Sequence, residues 1–280
     1  MTNATVYLNG SYLAKGDAHL SPDDRGFLFA DGIYEVIRAY GGQFYAMQPH
    51  LERMANGLHS LRIDGADVPG LARVCAELLR RNGLTQADAL VYIQVTRGVA
   101  VRGHGFPDPP VPPTVYATTM PFKAKGDPAE GVAVITAPDH RWTRCDIKAV
   151  ALLPNCMAFQ DAQDAGAQEA VLVRDGVALE GTHTSFFAVL DGVVRTAPRS
   201  NYILPSITRQ AVLDICREQD IPAAETPVLL HELWTADELF LAGTTMEIMP
   251  IVRVDGRSVG TGNPGPLARR LLEHFHARTP

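Results

Sequence analysis

Four dipeptides suited to tight turns, Asn9-Gly10, Gly41-Gly42, Asp175-Gly176 and Asp191-Gly192, constrain this chain more than any other feature. Each stands between short runs rich in β-branched and aromatic residues. A two-residue connection of this kind needs consecutive backbone conformations with positive φ, which Gly, Asn and Asp adopt at low cost, and it closes an antiparallel hairpin. Residues 5–8 with 11–13, and 34–40 with 43–45, therefore read as hairpins, and residues 169–174, 177–180, 185–190 and 193–196 as a meander. Further strands are expected over 90–96, 114–119, 131–137 and 238–242. The spacing of Leu51, Met54, Leu58 and Leu61 predicts a helix, and a second runs from about Pro69 to a C-cap at Asn82-Gly83. Others are expected over 156–165, 207–218 and 266–277. Strands cluster, and helices do not alternate strictly with them, so the expected class is α+β rather than a doubly wound parallel sheet. The polar stretch 123–131, broken by Gly and Pro, reads as a linker between a smaller N-terminal α/β domain, 1–122, and a larger C-terminal one, 132–280.

Composition narrows the function classes. With 46% hydrophobic and 20% charged residues among 280, the chain can bury a substantial core. A formal net charge of -6 argues against a nucleic-acid partner, which needs a basic face. The opening Met1-Thr-Asn-Ala-Thr-Val lacks the basic and then apolar pattern of a secretory signal. No apolar run approaches the roughly 18 residues of a membrane span. A cytoplasmic location is therefore expected, with Cys75, Cys145, Cys156 and Cys216 as buried free thiols, since no CxxC or metal-ligand spacing links them and no metal site is expected.

Among the 25 basic residues only Lys15, Lys123, Lys125 and Lys148 are lysines. The first three sit in polar, turn-like surroundings. Lys148 lies in Cys-Asp-Ile-Lys-Ala-Val-Ala-Leu-Leu-Pro, a largely apolar run where an ammonium loses hydration. Arginine can replace lysine as a surface charge but cannot form a Schiff base, so this position suits covalent amine chemistry.

Such chemistry needs companions. Glu180, at the end of an apolar strand, is the candidate carboxylate, although a solvated strand-end glutamate fits the same residues. Leu204-Pro205-Ser206-Ile207-Thr208-Arg209 opens a helix, and Gly243-Thr244-Thr245 follows a strand. Each offers N–H groups and hydroxyls to an anion, and each is also ordinary cap or turn chemistry. Arg102-Gly103-His104-Gly105, in a loop rich in Gly and Pro, could grip a carboxylate.

Taken in order, Asp24-Arg-Gly-Phe-Leu-Phe-Ala-Asp-Gly-Ile-Tyr-Glu-Val, Gln94-Val-Thr-Arg-Gly, Arg102-Gly-His, Arg141-Trp-Thr-Arg-Cys-Asp-Ile-Lys, Glu180-Gly, Ile203-Leu-Pro-Ser-Ile-Thr-Arg and Thr244-Thr-Met-Glu-Ile resemble the fold-type IV pyridoxal-phosphate aminotransferases, in particular the bacterial D-amino acid aminotransferases. The resemblance runs from about Tyr7 to the C-terminus. It implies a ping-pong transfer of the amino group of D-amino acids, such as D-alanine, to 2-oxo acids, such as 2-oxoglutarate. Branched-chain L-amino acid aminotransferase and aminodeoxychorismate lyase share the scaffold as alternatives. It further implies Lys148 as the Schiff-base lysine and proton shuttle, and Glu180 as the partner of the pyridine nitrogen. By the same resemblance Arg53, Ile207, Thr208 and Thr244 match phosphate-binding positions, and Leu204 matches the residue packed on the cofactor ring. Tyr34, Val36 and Arg38 match the substrate side, and Arg102 and His104 the carboxylate trap that the neighbouring subunit contributes. A homodimer with shared active sites follows from that. The chain departs from the pattern at Ser206 (usually Gly), at Thr182-His-Thr-Ser185 (usually a serine-rich run ending in Asn) and at Arg38 (Lys in the D-specific enzymes).

Overall fold

A computed structural model describes residues 4–124 and 126–280. Met1 to Asn3, where the signal reading begins, and Lys125, inside the expected linker, lie outside the described residues. The chain divides into two compact units. The first comprises residues 4–123 with Ile147–Ala151, and the second comprises Ala124–Asp146 and Leu152–Thr279.

The first unit contains β1 (Thr5–Leu8), β2 (Ser11–Ala14), α1 (Arg25–Phe29), β3 (Gly32–Tyr40), β4 (Gln43–Phe44), α2 (Met47–Leu61), α3 (Leu71–Arg81), β5 (Ala89–Thr96) and β6 (Thr114–Pro121). Its sheet runs β2-β1-β6-β5-β3-β4, and every pairing is antiparallel. Asn9 and Gly10 both adopt positive φ, 47° and 92°, as the first hairpin requires. Alternation along β3 sends Ile33, Ile37 and Ala39 into a core with Leu51, Met54 and Leu58 of α2 and Leu78 of α3. Tyr34, Val36 and Arg38 take the opposite face of the same strand.

The second unit contains β7 (Val132–Pro138), α4 (Leu153–Asp164), β8 (Glu169–Arg174), β9 (Val177–Gly181), β10 (Ser185–Leu190), β11 (Val193–Thr196), α5 (Ile207–Glu218), β12 (Ala223–Glu225), β13 (Val228–Leu229), β14 (Glu238–Gly243), β15 (Glu247–Val254), β16 (Arg257–Ser258) and α6 (Pro266–His276). Its sheet runs β12-β11-β10-β14-β15-β7-β8-β9-β13, with β16 beside β15. The expected meander is present, with β8–β9 and β10–β11 antiparallel. The sheet is mixed, because β7 pairs parallel with both β8 and β15. Phe186, Leu241, Met249, Ile251 and Val254 fill its core.

Two details differ from the sequence reading. Cys156 lies exposed on α4, a helix that begins at Leu153 with Pro154 in its first turn, while Cys75, Cys145 and Cys216 are buried. Lys148, placed by sequence within 132–280, belongs to the first unit instead, because the strand edge of β3 captures its segment. Tyr34 N–H donates to the Lys148 carbonyl at 3.0 Å, Val150 N–H donates to Gly32 at 3.1 Å, and Ile33 bridges Ala149.

Candidate active site

The bridge to β3 fixes Lys148 while burying its neighbours Ile147 and Ala149. The half-buried side chain turns toward the β3 face that carries Tyr34, and its Nζ lies 4.3 Å from the centre of the Tyr34 ring. That ring stacks in turn on Tyr92 of β5, centroid to centroid 5.7 Å.

On the opposite face of β3, Glu35 is fully buried. Arg53 of α2 grips it through Nε on Oε1 at 2.6 Å and a terminal nitrogen on Oε2 at 2.8 Å, and His50 Nδ1 lies 2.8 Å from the same Oε2. Burial raises the Glu35 carboxyl pKa, but Arg53 and His50 outweigh burial and hold it down at about 2. His50 is itself pushed below its ordinary value, chiefly by burial, with Glu35 opposing and Arg53 and Lys148 adding to the push. Arg53 was identified from the sequence; its two partners were not.

A loop over residues 98–113 carries Arg102 and His104. Gly98, at φ +98°, opens it, and a Cβ there would sit 2.0 Å from the Pro112 carbonyl, so only glycine lets the two ends of the loop pass this closely. Arg102 and His104 are exposed, and both approach one ring: the Arg102 guanidinium is 5.2 Å and the His104 ring 5.8 Å from the centre of Phe29. Arg38 pairs with Asp88 at 3.2 Å between the rings of Tyr40 and Phe122, each 4.0 Å away, and Val36 lies between it and Tyr34 along the strand.

In the second unit Glu180, at the end of β9, is buried. Arg141 donates to it, and the Leu204 N–H donates at 3.1 Å. Arg141 also binds the buried Asp139 at 2.8 Å, and Arg174 reaches Asp139 at 3.0 Å. Burial raises the Glu180 carboxyl pKa, against the pull of Arg141 and the Leu204 N–H; Asp139 stays below its usual range because its two arginines overcome burial. Neither Asp139 nor Arg174 was singled out from sequence, and Arg141 entered only as part of a motif.

The segment after Glu180 is a tight turn. A Cβ on Gly181 would lie 2.1 Å from the Thr184 hydroxyl. Thr182 and Thr184 donate to the buried Glu169, and His183 Nδ1 lies 3.0 Å from it, so the Thr-His-Thr variation is anchored on a carboxylate of β8. Ser185 follows, paired with Glu180 on the same face of the sheet, and its buried hydroxyl has no hydrogen-bond partner among the described residues.

Ser206 caps α5 by accepting from Arg209 N–H at 3.1 Å. Helix geometry leaves the first N–H groups of α5, those of Ile207 and Thr208, without intrahelical acceptors. Thr208 is buried, Leu204 and Ile207 are half-buried, and Thr244 lies in the turn between β14 and β15. The candidates thus form two sets. Tyr34, Val36, Arg38, Arg53, Arg102, His104 and Lys148 belong to the first unit, and Glu180, Leu204, Ile207, Thr208 and Thr244 to the second.

The family model for class IV aminotransferases matches residues 32–254, and the chain belongs to that family. Among its relatives, the D-alanine aminotransferase of Staphylococcus haemolyticus is 39% identical over 273 residues, spanning 97% of this chain and 96% of that protein. The Bacillus licheniformis D-alanine aminotransferase is 37% identical over 271 residues, 95% of this chain and 94% of its own. Among solved structures, the branched-chain amino acid aminotransferase of Escherichia coli superposes with a TM-score of 0.91 at 26% identity, covering 99% of this chain and 95% of that one. The branched-chain aminotransferase of the thermophilic archaeon Thermoproteus uzoniensis, solved with norvaline, gives 0.87 at 26% identity, over 97% and 93%.

Proposed function

We propose that this aminotransferase binds pyridoxal phosphate at Lys148 and moves the amino group of D-amino acids such as D-alanine to 2-oxo acids such as 2-oxoglutarate. The convergence of Arg102 and His104 on the Phe29 ring carries the D-amino acid reading. A planar guanidinium fork beside an imidazole donor suits an α-carboxylate. The relatives named D-alanine aminotransferases support the same assignment.

The residues fit the cofactor by their chemistry. Lys148 offers a primary amine, α5 opens with unspent N–H groups, and the unpartnered Ser185 hydroxyl shares the Glu180 face as a donor that a polar group could use. Arg53, Ile207, Thr208 and Thr244 would hold the phosphate, Leu204 would pack on the ring, and Glu180 would meet the pyridine nitrogen. When bound, the cofactor supplies an aldehyde carbon for the amine and a protonated ring that draws electrons from the substrate Cα. Lys148 Nζ would serve as the general base for the substrate Cα proton, so its reach would govern the rate. Glu35 fixes the Arg53 guanidinium in one orientation, and Arg141 with the Leu204 N–H does the same for the Glu180 carboxylate. Tyr34, Val36 and Arg38 line the substrate side.

The fold likeness to the Escherichia coli branched-chain enzyme, together with Arg38 on the Tyr34 face, favours a second reading, an L-specific branched-chain enzyme. Turnover of D-alanine, L-alanine and L-leucine with 2-oxoglutarate separates the two. D-alanine turnover with little from the L enantiomers supports the first, and exclusive turnover of L enantiomers overturns it.

We further propose a cytoplasmic homodimer. Leu20, Phe27 and Val101 of the first unit are 57%, 79% and 95% exposed, large apolar side chains that a second copy would cover. All four cysteines are free, and among the described residues no helix is long and apolar enough to cross a membrane. A sedimentation mass of one chain would sink the dimer.

A further inference from the structure

A loop that aims two side chains at a small carboxylate must itself be held still. Gly103 and Gly105 flank His104, and neither has any heavy atom within 4 Å of the space a Cβ would take, so nothing packs against these two glycines on that side. The root of the loop is fixed by backbone pairing: Arg25 N–H donates to Gly98 at 2.9 Å, and Ala100 N–H donates to Asp23 at 3.3 Å. Beyond the root, Phe106 lies over the Arg97 guanidinium at 3.5 Å, and the Arg102–His104 tip meets α1.

Arg25 and Phe29 of α1 are four residues apart and so share one helix face. Asp24 sets the start of this helix by accepting from Gly26 N–H at 2.8 Å and from the Thr114 hydroxyl at 2.6 Å. Arg25 is 3% exposed. Its Nε donates to Asp31 at 2.8 Å, and Asp31 also accepts from Arg97 at 2.7 and 3.0 Å. With that end clamped, a terminal nitrogen of Arg25 donates to the Gly103 carbonyl at 2.7 Å, between Arg102 and His104 in sequence. Phe29, 4.8 Å from the Arg25 guanidinium, supplies the ring that Arg102 and His104 approach.

We propose that Arg25 and Phe29 form a seat that holds Arg102 and His104 in their carboxylate-binding orientation and so sets affinity for the substrate carboxylate. This rests on the reading of Arg102 and His104 as the carboxylate trap. Arg25 and Phe29 are positioning residues; neither moves a proton. A pre-ordered exposed arginine avoids losing side-chain entropy on binding, and without the seat that loss falls on substrate binding rather than on the chemical step. The effect belongs in KM, with kcat retained.

The test uses the holoenzyme and steady-state kinetics with D-alanine and 2-oxoglutarate. Arg25→Met should raise both KM values about tenfold, the scale of one lost charge-assisted hydrogen bond, with kcat within about twofold of wild type. Phe29→Leu, which leaves the Arg25–Asp31–Arg97 cluster intact, should raise them about threefold and serves if Arg25→Met does not fold. Arg102→Met should raise KM on its own. Adding Arg25→Met to it should change nothing further, because the seat acts through the residue already removed. Additive effects in the double variant, or wild-type KM in the Arg25 and Phe29 variants beside a raised KM in Arg102→Met, overturn the seat and leave the trap standing. An unchanged KM in Arg102→Met overturns the trap itself.

Discussion

Replacing Glu35 by glutamine removes one buried charge and almost no volume, and its cost can be worked out in two independent ways. The side chain has no exposure, so solvent screening offers no relief. Its carboxyl sits at about 2 when folded against an ordinary 4.5. At roughly 1.4 kcal/mol for each pH step between those values, the ionised pair contributes on the order of 3 kcal/mol. Breaking a buried ion pair from one side costs a similar amount, about 3–5 kcal/mol, because the buried Glu35 end of the pair no longer carries a charge to meet Arg53. The folded-state value lies below the unfolded one, so this stability is fully present above pH 4.5 and is lost as pH falls toward 2. Urea denaturation of cofactor-free protein should therefore show Glu35→Gln about 3 kcal/mol less stable than wild type at pH 7, with the gap closing below pH 4.5. A gap under about 0.5 kcal/mol at pH 7, or one that does not change with pH, would refute the reasoning.

Two more substitutions probe the second unit. Glu180→Gln should keep the cofactor bound, visible as retained colour after gel filtration, while slowing turnover about a hundredfold or more, the scale of losing one placed electrostatic group. Arg141→Met strands Glu180 and leaves Asp139 with Arg174 alone, so it should cost about 3 kcal/mol in urea denaturation, less at low pH where Glu180 takes up a proton.

The elements legible in the sequence are those whose cause is local. The four turn dipeptides each need two positive-φ residues, and each has them in the structure, down to Asp191 and Gly192 at 49° and 73°. Asp255-Gly256 uses the same device between β15 and β16, but β15 itself went unread because Pro250 interrupts it. The proline is tolerated because the ladder to β7 begins at Ile251, one residue beyond it, so the missing N–H forfeits no bond there. The helix α1 spans only Arg25–Phe29, too short for a periodic signal, and rests on the Asp24 cap. The β7–β8 parallel pairing, bridged by α4, depends on contacts that turn chemistry cannot announce.

The site divides along the same line. Lys148 stood out because an amine in an apolar run is costly, and Ile147 and Ala149 are indeed buried beside it. What sequence reading lacked were the counter-charges: Glu35 lies 18 positions from Arg53, and Arg141 lies 39 from Glu180. Glu35 stands on β3 and Arg53 on α2, and Glu180 closes β9 while Arg141 lies in a loop, so no single element's period links the partners until the sheet and α2 have formed. Yet each pair follows from one requirement, since a charge withdrawn from water must find an opposite charge or neutralise. A buried residue identified for its chemistry therefore implies an unnamed partner. Glu35 for Arg53, and Arg141 with the Leu204 N–H for Glu180, meet that requirement, and they decide where the chemical groups point.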